Sequence, residues 1–295
     1  MALAQCTAHG ISRATAARRV AAGSWARPVS GVYDLAPDGP GDDHEARRRR
    51  AAWLGVLAYG PHAIAVGPSA LTMLGVAGLP LEPRSEVTLP GGQARRSRGP
   101  VRFRRFDDGM RTVTVQGMRV AAPRWAIAQC VPELSRARAL AVLDSALARG
   151  VIDAAGLDLA HAVARGRRGV ATHHDLWALA DSRAESPLES YGRLACVEAG
   201  VPPHVLQLVV RDATGAFVGR ADMAWRLGGG RWLVVEMDGR DVHGAPRAVY
   251  ADRARQNAML ATGRVEMLRF TGQDSPEQIG AVVRRTLMQL RRPTA

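Results

Sequence analysis

The sequence predicts a multidomain protein of mixed α+β and α/β class. A truncated winged helix-turn-helix is expected over residues 1–37, an α+β middle domain over 44–183 and an α/β core over 184–295. Three observations lead there. The first 35 residues hold two short helical stretches and a glycine-flanked pair of strand-like runs. The Pro/Gly/Asp-rich stretch Ala36 to Asp43 reads as a linker. From Ser186 on, the patterns follow the order α-β-β-β-α-β-α, which builds a layered α/β domain. A chain of 295 residues with 47% apolar content can fill two or three cores.

Taken in order, Ala4 to His9 suits a short helix and Gly10-Ile11 a turn. Ser12 can cap a second helix from Arg13 to Ala22, because its hydroxyl accepts a bond from a free N–H of the first turn. Gly23 suits the left-handed stop. Ala14, Ala17, Val20 and Ala21 fall on one face, with Arg13, Arg18 and Arg19 projecting elsewhere. Trp25, Val29 and Gly31-Val32-Tyr33 then form a two-stranded wing. A basic helix after a turn is the ordering of a helix-turn-helix DNA reader, which makes Arg13, Arg18 and Arg19 candidate nucleic-acid contacts. Only Met1 to Leu3 precede the first helix, so the motif is expected to be truncated or to begin upstream. The stretch resembles the winged helix of AbiEi-type antitoxins from type IV toxin–antitoxin systems. That resemblance implies operator DNA as a partner, with a second copy or a toxin protein as a further one.

In the middle, His44 to Tyr59 reads as a helix carrying Arg47 to Arg50, either a solvated face or a phosphate contact. Ser69 to Leu74 is a short helix. Glu86 to Leu89, Val101 to Phe106 and Thr112 to Val120 alternate as strands, with a basic loop between the first two. Pro123 to Cys130, Ser135 to Ala148 and Asp153 to Ala164 are helical. The adjacent His173 and His174 read as surface residues, because neighbours on a helix do not face one ligand.

The C-terminal part opens at Ser186-Pro187-Leu188-Glu189, a capping box with proline at the first helical position. Leu206 to Val210 and Phe217 to Trp225 are strands around the Asp212–Gly215 turn. Gly228-Gly229-Gly230 joins the second of these to the apolar run Trp232 to Asp238. Arg247 to Thr262 is a helix, Val265 to Phe270 a strand and Pro276 to Leu290 a last helix.

Strand parity sets Arg220, Asp222 and Ala224 on one face of the first hairpin strand. On the second it sets Trp232, Val234, Glu236 and Asp238 together, with Leu233, Val235 and Met237 behind. Carboxylates crowded among apolar residues repel, and protons or a cation must neutralise them. Mg2+ or Mn2+ suits such oxygen ligands. An Asp, a turn, then Glu-x-Asp-Gly and a nearby His resembles the PD-(D/E)xK nuclease superfamily. The branch it resembles is the one related to very-short-patch repair endonucleases, catalogued as domain of unknown function family 559. Over Glu185 to Leu290 the resemblance implies a restriction-endonuclease-like core and a metal-dependent phosphodiesterase. Asp222 matches the motif's first acid and Glu236 its second, while Asp238 stands where lysine is usual. The expected metal ligands are Asp222, Glu236, Asp238 and Glu189, the last serving either as ligand or as cap. His243 or Gln256 would position the nucleophile or the scissile phosphate. Arg255, beside Asp252 on the following helix, would meet the nucleic-acid backbone or steady developing charge.

All 40 basic residues are arginine. The family's lysine role is therefore open, and a non-catalytic DNA-binding regulator with a degenerate nuclease fold is the alternative. The net charge of +13 is spread as +6 over residues 1–110, +4 over 111–183 and +3 over 184–295, which favours an anionic partner such as DNA. No run of eighteen apolar residues suggests a membrane span. The absence of a signal-like start and three widely separated cysteines point to a reducing cytoplasm and argue against a zinc site. No glycine-rich loop joins a strand to a helix as a dinucleotide fold requires.

Overall fold

The computed structural model describes residues 1–39, 41, 43–106, 109–239 and 246–291. In chain order the helices are α1 (Leu3–Ala8), α2 (Arg13–Ala21), α3 (His44–Tyr59), α4 (Gly67–Met73), α5 (Pro123–Cys130), α6 (Arg136–Ala148), α7 (Ala154–Ala164), α8 (His174–Leu179), α9 (Pro187–Glu198), α10 (Pro246–Ala261) and α11 (Pro276–Leu290). The strands are β1 (Ala26–Val29), β2 (Val32–Asp34), β3 (Ile64–Ala65), β4 (Ser85–Thr88), β5 (Val101–Phe103), β6 (Thr112–Val115), β7 (Met118–Ala121), β8 (Val205–Arg211), β9 (Phe217–Gly228), β10 (Arg231–Asp238) and β11 (Val265–Thr271). The architecture is α+β with several sheets. The contacts divide the chain into two compact units. One comprises Met1–Leu134 with Arg149–Ala178, the other Ser135–Ala148 with Leu179–Ala295. Helix α6, expected in the middle domain, thus belongs to the C-terminal unit.

The first unit begins with two helices and the β1–β2 hairpin; among the described residues no third helix precedes Asp34. Ser12 caps α2 as expected, its Oγ accepting the Thr15 N–H at 3.1 Å. The buried face of α2 is not the expected alanine stripe. Ala16 is fully buried in a small core with Cys6, Trp25 and Tyr33, and Ala14 and Ala17 are exposed. The remainder is a five-stranded sheet of order β5-β4-β3-β7-β6. The single strand expected over Thr112 to Val120 is a hairpin, because Gln116 (φ 50°) and Gly117 (φ 78°) are both left-handed, the geometry of a tight primed turn. Glu86 on β4 is buried and held by Arg102 at 3.2 Å and Arg104 at 2.8 Å; both arginines also pair with Glu133. His173 is likewise buried, not superficial. Its ring nitrogens lie 2.9 Å from the Gly169 carbonyl and 3.0 Å from that of Leu134, while His174 meets His161 at 2.8 Å.

The second unit is a four-stranded sheet of order β11-β10-β9-β8, antiparallel except for the parallel β10–β11 pair. One core holds Ala195 and Cys196 of α9, Ile279, Val283 and Leu287 of α11, and Met223, Trp225, Leu233, Val235 and Met237 of the sheet. The opposite face packs Ala221, Ala224 and Val234 with Met259 of α10. Two glycines permit this closeness. A Cβ at Gly192 would come within 2.6 Å of the Met237 sulfur, and one at Gly219 within 2.7 Å of the Met259 sulfur. The order α9-β8-β9-β10-α10-β11-α11 is the order expected from the sequence.

Helix α6 is fastened to this unit by a buried ion pair. Arg193 donates through one nitrogen to both carboxylate oxygens of Asp144, at 2.8 and 2.7 Å. The Ser190 hydroxyl and the Asp181 N–H also donate to Asp144.

Candidate functional site

The site is assembled where β9 and β10 part. Their register runs antiparallel as far as Val235 opposite Met223, which sets Asp222 level with Glu236 one step on. The alternation of β10 is regular: Val234 packs toward α10, and Leu233, Val235 and Met237 pack toward α9 and α11. That of β9 is not. Ala221 and Ala224, three apart, pack in the same cluster, so the strand turns over between them, at Asp222. The register of β8 with β9 places Gln207 level with Asp222, and Gln207 is itself left-handed, with φ 57°. Both strands therefore change face at one level, and the parity expected for Arg220, Asp222 and Ala224 does not hold.

Released from regular alternation, the Asp222 carboxylate accepts the backbone N–H of Met237 at 2.8 Å. Burial pushes its pKa from 3.8 up to about 6; the Met237 bond opposes this rise, and the nearby Glu189, Glu236 and Asp238 add to it. Glu236 is buried and is held by Arg255 of α10 through two bonds, at 2.8 and 3.3 Å. Asp238 is held by Arg269 of β11 at 2.7 and 2.8 Å. Asp252 completes the lattice, pairing with Arg255 at 2.7 Å and with Arg269 at 2.8 Å. Hydrogen bonds from Arg255 hold the Asp252 carboxyl below its usual range. Gln256 accepts from Arg269 at 3.2 Å.

The acids thus fall into two groups. Glu236, Asp238 and Asp252 share two guanidiniums, those of Arg255 and Arg269. Among the described residues, the bonds to Asp222 and Glu189 come from neutral donors: the Met237 N–H for the former, the Glu185 N–H and the Gln207 amide, both at 2.9 Å, for the latter. Ser186 caps α9 as expected, accepting the Glu189 N–H at 3.2 Å. The Glu189 side chain, however, reaches back to Glu185, one residue beyond the position a capping box prescribes.

The expectation that Asp222, Glu236 and Asp238 converge on one ion is not met in this arrangement. Among the described residues no three His, Cys, Asp or Glu side chains form a metal-binding group, because Glu236 and Asp238 are turned to their arginines. His243 lies outside the described residues. Arg269 and Gln207 were not singled out from the sequence. The first had a signal: an arginine inside an apolar strand that pairs in register with Glu236. The second had none, since a left-handed glutamine in a strand leaves no mark on hydrophobic periodicity.

On α2, Arg13, Arg18 and Arg19 are all exposed. They are spread around the helix at 100° per residue and form no single stripe. Arg19 lies over the Trp25 ring at 5.0 Å, and Arg18 donates to Thr15 at 3.3 Å.

The C-terminal unit is thus of a class defined by a mixed sheet between helices, with a cluster of acids and arginines where β9 and β10 part. Two curated proteins are similar to the chain, both described as uncharacterized and both from Mycobacterium tuberculosis, strains CDC 1551 / Oshkosh and ATCC 25618 / H37Rv. Each is 34% identical over 147 residues, covering 50% of this chain and 53% of the relative. The chain spans about half the length of the curated relatives it matches. No protein-family model and no solved structure matches it. No described helix is long and apolar enough to cross a membrane.

Proposed function

We propose that the protein binds DNA and that its C-terminal unit is a metal-dependent endonuclease-like domain that hydrolyses phosphodiester bonds. The single observation that carries this reading is Asp222. It is a largely buried carboxylate, level with Glu236 and crowded by three further acids, whose bond among the described residues is to one neutral N–H. Such a position favours either a proton or a cation. The donor set is all oxygen, which suits Mg2+ or Mn2+. Asp222 and Glu189 would hold the ion, with Glu236 and Asp238 approaching it from their arginine pairs. A bound ion of this kind polarises a phosphodiester and acidifies a water molecule. Arg255 and Arg269 remain charged at all working pH values and serve as phosphate clamps, not as bases. Gln256, fixed by Arg269, would orient the phosphate or the incoming water. The N-terminal helices and hairpin, with Arg13, Arg18 and Arg19 outermost, would supply further contact to duplex DNA.

The second reading is a non-catalytic DNA-binding regulator. A specific observation favours it: Glu236 and Asp238 are already neutralised by Arg255 and Arg269. Incubating a labelled duplex with the protein, with and without Mn2+, separates the two. Cleavage that needs the ion supports the nuclease; salt-sensitive binding without cleavage supports the regulator.

A further inference from the structure

We infer that Gln207 supplies an oxygen ligand to the divalent ion of this site, completing a set with Glu189 and Asp222. The inference rests on the proposed metal dependence and adds a residue to it. Three independent features of Gln207 point the same way. Its Oε1 is buried and has no hydrogen-bond partner among the described residues. A buried amide oxygen left without a partner keeps its full desolvation cost, so native structures rarely keep one without a use for it. Its Nε2 donates to Glu189 Oε2 at 2.9 Å, which fixes which end of the amide is the free oxygen and ties it to the helix that carries Glu189. Its backbone is left-handed at φ 57° inside a strand, at the level where β9 turns over to present Asp222. A non-glycine residue in that region carries backbone strain.

The chemistry fits a hard cation. An amide carbonyl is a neutral oxygen donor of the kind that Mg2+, Mn2+ and Ca2+ accept beside carboxylates. Unlike Glu236 and Asp238, it has no arginine to give up.

The test is Mn2+ binding by the full-length protein without DNA, followed by electron paramagnetic resonance and calorimetry on wild type, Gln207→Leu and Gln207→Glu. Gln207→Leu is expected to weaken Mn2+ binding by at least about 10-fold, the lower end of the loss seen when even a residue that only orients a metal ligand is removed. Its metal-free thermal unfolding is expected to stay near wild type. Gln207→Glu keeps an oxygen but loses the N–H donor to Glu189, and it is expected to bind Mn2+ at least as tightly as wild type. If Gln207→Glu loses binding as fully as Gln207→Leu, the residue merely orients Glu189 and the ligand assignment is overturned. Wild-type affinity in Gln207→Leu overturns it too, while leaving the metal-dependent reading intact. A wild type that takes up no Mn2+ overturns both.

Discussion

Asp222 is the residue on which the chemistry turns, and its protonation gives a test independent of DNA. Its folded pKa of about 6 lies above the ordinary 3.8. For a raised carboxyl, the native state holds the proton more tightly than the unfolded chain. Ionisation therefore destabilises the fold as pH rises from about 4 through about 6, and the cost is complete above that. At 1.36 kcal/mol per pH unit it amounts to roughly 2–3 kcal/mol. Asp222→Asn escapes it while keeping an oxygen for the Met237 N–H. In EDTA the variant is expected to be more stable than wild type by about 2 kcal/mol at pH 7.5 and equal to it near pH 4. Urea denaturation at the two pH values checks this, and equal stability at pH 7.5 refutes the crowded-carboxylate picture. A proton and a cation compete for the same oxygen, so Mn2+ affinity is expected to rise as pH passes through 6, which calorimetry at pH 5.5 and 7.5 would show.

At the scale of elements, the buried pair between α6 and α9 makes a clear demand. Asp144→Ala leaves the Arg193 guanidinium buried without its partner, and the expected loss is about 3–5 kcal/mol of stability, read from the shift in the denaturant midpoint. A change below 1 kcal/mol would mean that the pair does not hold α6. How much of these elements could be read beforehand depended on the kind of signal. Ser12 and Ser186 marked the starts of α2 and α9 because a cap is a local bond that one residue makes with its own helix. β10 was legible as a strand because both of its faces are buried, which gives a short, near-continuous apolar run. The turn-over of β9 at Asp222 was not, because it depends on Gln207 in the neighbouring strand. The Gln116-Gly117 turn is hidden within a strand-like run because glutamine seldom adopts a left-handed backbone. The arginine neutralisation of Glu236 and Asp238 joins residues 19 and 31 positions apart, beyond the reach of any spacing rule. Glu236 and Asp238 were recognisable as a pair; Arg255 was legible only as a neighbour of Asp252, and Arg269 only as an arginine inside an apolar strand.

For the whole molecule, the relevant quantity is a net charge of +13 carried entirely by arginine on the basic side. Binding to duplex DNA is expected to fall steeply with salt, with a slope of roughly −0.9 per phosphate neutralised. Arg18→Ala together with Arg19→Ala should lower affinity and reduce that slope by about 1–2, while Mn2+ affinity stays unchanged because these residues lie in the other unit. Fluorescence anisotropy across a salt series measures both quantities. A salt-independent interaction would point to a protein partner in place of DNA.

The most direct test of the central claim is cleavage of a labelled DNA duplex by wild type and Asp222→Asn, each with Mn2+ and with EDTA. The expected result is cleavage by wild type in Mn2+ alone, with the variant inactive yet binding the duplex as tightly as wild type or more so, since a negative charge near phosphate has been removed. Intact DNA in every lane, with wild type still bound to it, would contradict the nuclease assignment and leave the regulator.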